Sequence, residues 1–354
     1  VKDFIMASSL KTNIQNKFLT GIILSTLLLV SSMQARALGE CGLSCCLAGA
    51  NSSGVTLAEN FGFAVQYEHS DMQTILNGTT EVSPDAVLDA NWVPGSMYSV
   101  PTKMTMEKLS FIGARPLNER WTMMGIVPLL RNNMDMRMRN AAGMTMDMTM
   151  EEIAGLGDIS LLAFYTAYTD APVRPTERLT LGIGIKTPTG KNDELTANGN
   201  YVHAMMQLGS GSWDGLFTLN YMRAFYPLIT QVNAFYHLTT EGDEGYEFGD
   251  QAGIDLVMRY QTTNYINLGI ELNMIKTQQD TDHDGKYSRP LVSMVDNTAY
   301  TGLTSILLTP GVQFRIPETT GSIEVKYQTP VYQKVNGYQQ VLDARWLVTG
   351  SVAF

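Results

Sequence analysis

From residue 60 to the C-terminus, apolar and polar side chains alternate in runs of about ten residues separated by turn-forming stretches. In "YINLGIELNM" (265–274), Ile266, Leu268, Ile270, Leu272 and Met274 share one face, and Asn267, Gly269, Glu271 and Asn273 share the other. "QAGIDLVMRY" (251–260), "SIEVKYQ" (322–328) and "LTLGIGIK" (179–186) repeat the pattern, as does the closing "YQQVLDARWLVTGSVAF". A period of two is that of a β-strand, whose successive side chains point to opposite faces. Twelve such strands are predicted, near 60–68, 104–115, 119–131, 157–168, 177–187, 213–225, 228–239, 247–260, 264–276, 300–316, 320–332 and 339–354.

A soluble sandwich also alternates. Here, however, the apolar faces end in Tyr or Trp, as at Tyr67, Tyr221, Tyr260, Tyr265, Tyr327 and Trp346, which suits a membrane interface. Loops alternate short and long, as in bacterial barrels. The predicted fold is therefore all-β, a transmembrane antiparallel β-barrel of about twelve strands over 60–354. Closure satisfies every backbone amide in lipid. An even count puts both termini in the periplasm with the short turns "RPLNER", "AFYPL", "YQTTNY" and "IPETTG", and puts the long loops 69–103, 131–156, 188–212 and 277–298 outside. The stretch "VHAMMQLGS" (202–210) reads as an extension within the third long loop or as a further strand.

Residues 1–37 read as a signal peptide: Lys11 and Lys17, then apolar "IILSTLLLV" (22–30), then "ARA" (35–37). The apolar core is too short to span a bilayer. A lipoprotein reading through "LGEC" (38–41) is weakened by Glu40 before Cys41. Loss of the leader moves the formal charge from −10 to −13. That acidic surface argues against nucleic acid and suits functions that attract cations. Residues 38–59 form a periplasmic segment holding Cys41, Cys45 and Cys46. In an oxidising compartment these give one disulfide and a leftover thiol, or thiolate ligands for a metal. The terminal Phe354 resembles the sorting signal that delivers barrels to the assembly machinery of the outer membrane, whose lipid is then the chain's surroundings.

"GLGDISLLAFY" (155–165), "KTPTGK" (186–191), "GSGSWDGLFTLNYMRAF" (209–225) and "TPVYQKVNG" (329–337), in that order, resemble the bacterial outer-membrane family labelled MetA-pathway of phenol degradation. The resemblance implies an outer-membrane barrel with a transport role over roughly 60–354, and no reaction. Two features depart from the family pattern: the cysteine cluster and "MDMRMRNAAGMTMDMTM" (134–150).

That stretch holds Met134, Met136, Met138, Met144, Met146, Met148 and Met150. "RNAAG" (139–143) reads as a hairpin turn, with Gly143 free to take a positive φ. Pairing Met138 with Met144, Met136 with Met146 and Met134 with Met148 puts all seven on one face. Asp135, Arg137, Thr145, Asp147 and Thr149 then make a solvated face. If Trp121, Met123 and Val127 point outward, the methionines continue the lumen side, joined by Met104 and Met106. Thioether sulfur is a soft ligand that selects Cu(I) over Zn, Mg or Ca. The competing readings are flexible apolar packing and contact with an apolar ligand.

"DTDHDG" (280–285) sets Asp280, Asp282 and Asp284 at the first alternate positions of a calcium loop, but Leu291 replaces its bidentate Glu. Lumen-facing charges are expected at Asp255, Arg259, Glu271, Glu324, Lys326, Asp343 and Arg345. Asp255 and Glu271 would lie close in the simplest hairpin register, binding a passing cation or pairing with Arg and Lys to stiffen a narrow barrel. No enzyme motif accompanies the four histidines His69, His203, His237 and His283. The leading expectation is a channel for a small solute whose methionine hairpin captures a soft metal, with Cu(I) first, and with Ca2+ a candidate in the acidic loop. The alternative is a transporter for small apolar or aromatic compounds without metal, and a third is a structural barrel without conduction.

Overall fold

The computed structural model describes residues 44–46, 52–54, 61–171 and 175–354. The expected leader 1–37, Cys41 and most of the segment 38–59 lie outside the described residues. Cys45 and Cys46 fall in a short strand, Ser44–Cys46, paired antiparallel with Ser52–Gly54.

Twelve strands build a closed antiparallel barrel: β1 Gly62–Met72, β2 Tyr98–Pro116, β3 Trp121–Arg139, β4 Ser160–Thr169, β5 Glu177–Lys186, β6 Asp214–Phe225, β7 Leu228–Leu238, β8 Gln251–Gln261, β9 Ile266–Thr277, β10 Leu303–Arg315, β11 Ser322–Val335 and β12 Ala344–Ala353. Each pairs with the next, and β12 returns to β1 with Ala353 opposite Gly62 and Ala344 opposite Asp71. Closure leaves no edge strand to satisfy in lipid.

The alternation explains which face is which. On β9, Leu268 and Ile270 are exposed on the outside while Asn267, Glu271 and Asn273 are buried in the lumen. In water that arrangement would be inside out. In a bilayer the apolar face meets acyl chains and the polar face is screened. Tyrosine hydroxyls mark the rims by donating to acidic side chains. Tyr67 reaches Glu107 at 2.7 Å and Tyr236 reaches Asp250 at 2.6 Å at the long-loop end. Tyr221 reaches Glu177 at 2.7 Å at the short-turn end. Trp121 stacks on Tyr165, and Trp346 on Tyr327, at ring separations of 5.0 and 4.7 Å. Such amphipathic rings belong at the boundary of lipid and water. Among the described residues no helix is long and apolar enough to cross a membrane.

β2 and β3 each run for 19 residues. At 3.3 Å per residue that is about 60 Å, against an apolar belt about 25 Å tall. They therefore project well past the outer rim, and the expected loops 69–103 and 131–156 are in large part strand. Two short strands, Thr145–Thr149 and Ile153–Leu156, continue the pairing on β3. The last barrel strand is shorter than expected. Tyr338–Gln340 turns away to pair with Ile75–Asn77, which also pairs with Thr80–Val82 in a small outer sheet. A helix, α1 Pro84–Asn91, is N-capped by Ser83, whose hydroxyl accepts from Ala86 N. It buries Val87 and Leu88 against Tyr98 and Val100. The stretch 202–210 is not a further strand. It carries a 3-10 turn, Ala204–Met206, that buries Val202, Met206 and Leu208 in the barrel mouth.

Candidate functional site

The lumen has two unlike walls. Along β1 to β6, Ala64, Ile112, Ala114, Met124, Ile126, Leu162, Phe164 and Leu216 form one apolar cluster. Phe164 lies over Gly182, where an added Cβ would come within 2.7 Å of the ring. The glycine is what lets the ring lie flat against the wall.

The wall from β8 to β12 is polar, and its charges are paired. Arg259 meets Glu324 at 2.9 Å and Glu271 at 4.0 Å. Lys326 meets Glu271 at 2.7 Å and Glu324 at 3.4 Å. Two cations and two carboxylates, all buried, thus cancel. Asp255 accepts from Asn273 at 2.8 Å. Its cross-strand partner on β9 is Asn273, while Glu271 faces Val257, so the two carboxylates stand one diagonal step apart. Arg345 donates to Ser70 and Gln328 and pairs with Glu68 at 3.1 Å, and Glu68 also holds Lys108 at 3.0 Å. Gln328 in turn donates to Asn273 at 3.0 Å. The resulting chain of polar contacts crosses β2, β1, β12, β11, β9 and β8. Asp343 is the exception among the expected lumen charges. It precedes β12 and accepts from Gln73 N and Thr74 N, at 2.5 and 3.1 Å, so it caps an outer loop and does not line the lumen.

Beside the apolar cluster, under the 188–212 loop, lies a cavity of about 360 Å³, which Gln66, Lys108, Ser110, Gln207 and Gln251 also line. Ile112, Ile126 and Leu216 line its apolar side, and Lys186, Asp214 and His237 its polar side, with Ala204, Met205 and Leu208 above. The polar edge is built by parity. Lys186 and Asp214 are cross-strand partners. Lys186 Nζ is 2.6 Å from Asp214 and 3.0 Å from Asp158. His237 Nε2 lies 2.9 Å from Asp214. Asp158 accepts from Gly190 N, Ser210 N and Ser210 Oγ, each at 2.9 Å. The two carboxylates therefore pin both ends of the 188–212 loop over the cavity. A second tie holds that loop to its neighbour: buried Asp296 pairs with His203 and, at 2.8 Å, with Arg289. Lys186, Asp158 and Glu68 read in the sequence only as lone charges, since their partners lie far along the chain.

The methionine hairpin forms, in a different register. Met138 faces Met146 and Met136 faces Met148, two residues from the expected pairing. Met150 N donates to Met134 O at 2.8 Å. The cause is the turn. Asn140 Oδ1 accepts from both Ala142 N and Met144 N, and Gly143 takes φ 81°, so Met144 belongs to the turn and not to the ladder. Parity still sets the ladder methionines on the lumen side, but burial divides them. Met134 and Met136 are 1% and 2% exposed, while Met144, Met146 and Met148 are 61%, 45% and 43% exposed. Met138 and Met150 lie between. The opposite face is less solvated than expected. Arg137 binds Asp147 at 2.7 Å and Asp85 at 3.2 Å, and Arg139 binds Asp89 at 2.7 Å, tying the hairpin to α1.

The acidic loop does not gather its carboxylates. Asp280 is buried and accepts from Tyr246 OH at 2.7 Å and Gly249 N at 2.8 Å. Asp282 accepts from Gly285 N, Tyr287 N and Ser288 N. Asp284 pairs with Lys286 at 3.1 Å. Burial pushes the Asp280 carboxyl above its ordinary range. Each of the three carboxylates expected in a calcium loop thus serves a different set of protein donors. Among the described residues no group of three or more His, Cys, Asp or Glu is placed to hold a metal ion.

No protein-family model matches the chain, so the resemblance to the phenol-degradation family gains no support there, and no curated protein matches it. Solved structures do. The COG4313 outer membrane channel from Pseudomonas putida F1 aligns with 83% of this chain and 95% of its own, at TM-score 0.53 and 14% identity. A Pseudomonas aeruginosa FadL homologue aligns with 92% of this chain and all of its own, at TM-score 0.45 and 9% identity. The Pseudomonas putida toluene transporter TodX aligns with 84% of this chain and 90% of its own, at TM-score 0.43 and 8% identity. The first likeness is one of fold. With its lipid-facing apolar belt, the chain is a closed twelve-stranded β-barrel of the outer membrane.

Proposed function

We propose that the barrel is a channel for small apolar or aromatic solutes. The observation that carries this reading is the cavity of about 360 Å³ set between an apolar wall and the Lys186–Asp214–His237 edge. A dry apolar cavity of about 150 Å³ already holds benzene, so one ring with a substituent, or two rings, fits here. Ile112, Ile126 and Leu216 give such a solute an apolar face to lie on, and the paired Lys186 and Asp214 bound it on the other side. The test is uptake of a small radiolabelled aromatic by cells whose outer membrane otherwise excludes it. Uptake is expected to rise with the wild-type barrel and fall back toward the control with Ile126→Glu. Equal uptake with and without the barrel would refute the reading.

A second reading, capture of a soft cation such as Cu(I) at the mouth, draws on a specific observation. Methionines continue across strands from the exposed hairpin tip into the buried mouth.

A further inference from the structure

The buried end of the methionine series is not the hairpin itself. Met72 faces Met104 across β1 and β2, and Met104 faces Met134 across β2 and β3. Met150 follows Met134 through its backbone hydrogen bond. Three strands, with Met150 beside the third, thus present one row of thioethers toward the mouth. Met72, Met104, Met134, Met136 and Met206 belong to a single packed cluster there, with Met106, Met150 and Met205 against it. Met206 comes from the 188–212 loop, the same loop that roofs the lumen cavity.

Packing alone accounts poorly for this choice. A buried cluster accepts Leu at similar volume, and the tip residues Met144, Met146 and Met148 have little to pack against. What the exposed and buried positions share is sulfur. Thioethers are neutral ligands that need no deprotonation and select soft monovalent ions.

We propose that Met72, Met104, Met134, Met136 and Met206 form a buried soft-cation site at the barrel mouth, fed by the exposed thioethers of Met144, Met146 and Met148. The inference rests on the second reading above and adds to it a division of labour. The tip captures, Met138 stands between the tip and Met136 along β3, and the cluster under the 188–212 loop retains the ion. The ion is held without change of oxidation state, so no electron donor or acceptor is involved. Both Cu(I) and Ag(I) meet the requirement.

The test uses the full mature barrel, refolded in detergent and labelled with 13C in its methionine methyl groups. Ag(I) is the probe because it does not cycle between oxidation states. Methyl resonances report on methionines directly, so silver taken up by cysteine does not imitate the result. Affinity and association rate are measured for wild type, for Met72, Met104 and Met134 all changed to Leu, and for Met144, Met146 and Met148 all changed to Leu. Each variant is first checked for the compact, heat-modifiable band of a folded barrel. The inner variant is expected to lose at least a hundredfold in affinity. The tip variant is expected to keep its affinity within a few-fold and to bind at least tenfold more slowly. Should the tip variant lose affinity while the inner variant keeps it, the buried site is overturned and the hairpin-capture reading stands. Should no methionine resonance move in wild type, both fail.

Discussion

Lys186 and Asp214 face each other across β5 and β6 with the ammonium 2.6 Å from the carboxylate, and beneath the 188–212 loop Asp214 is buried and Lys186 largely so. Ser212 and Thr240 N bring two more donors to Asp214, at 2.7 and 3.2 Å, and Lys186 also reaches Ser210 Oγ at 2.5 Å. The position of the loop is therefore tied to the charges of the barrel wall. Where the roof of the cavity lies depends on an ion group that no single loop residue supplies.

Lys186→Met leaves two carboxylates facing a lumen without their cation. Removing one partner of a buried pair costs roughly 3–5 kcal/mol. The temperature at which the heat-modifiable band converts is expected to drop accordingly. Adding Asp214→Asn to that variant should restore part of the loss, because it removes the uncompensated charge.

Lys326→Met acts on the polar wall. It strips Glu271 of its 2.7 Å partner and leaves Arg259 alone between two carboxylates. A loss of about 3 kcal/mol is expected. A matching Lys326→Met, Glu271→Leu double substitution should lose less, which a double-mutant cycle of unfolding free energies would read.

Asp280 gives a pH signature outside the membrane. Burial raises its carboxyl, so the folded loop keeps a proton over a range where the unfolded chain has lost it. The folded state binds more protons there, and stability falls as pH rises through that range. Asp280→Asn carries no charge to bury. Its melting temperature is expected to exceed that of wild type at neutral pH, with the gap narrowing as pH falls toward about 4, the ordinary carboxylate range. A gap that does not change with pH would mean that the carboxyl is not held up by burial.

Gly182 is a packing requirement. A Cβ at that position meets Thr218 Oγ1 and the Phe164 ring inside van der Waals contact. Gly182→Val is expected to destabilise by about 1–3 kcal/mol through overpacking and to lift Phe164 into the cavity, lowering solute uptake in the same assay.

The barrel was legible because lipid enforces a strict rule: every second residue of β9 must be apolar, and a run such as Ile266 to Met274 has few other uses. Lumen parity likewise placed Arg259, Glu271, Glu324, Lys326 and Arg345, which the fold joins with Glu68 and Gln328. What parity could not give was which residues far apart in sequence come to pair. Asp158 and Asp214 meet Lys186 only once β4, β5 and β6 are adjacent. The hairpin register escaped because Asn140, not Gly143, decides where the ladder resumes. Asp343 was misplaced because alternation was carried back past the true start of β12, into a segment that Asp71 and Thr74 hold by backbone hydrogen bonds.

The most direct test of the channel reading is a crystal of the barrel grown with a small brominated aromatic and measured at the bromine edge. The expected result is an anomalous peak inside the cavity, between Ile112, Ile126 and Leu216 on one side and Lys186 and His237 on the other. Bromine found only on the outer belt among the detergent, with none in the lumen, would contradict it.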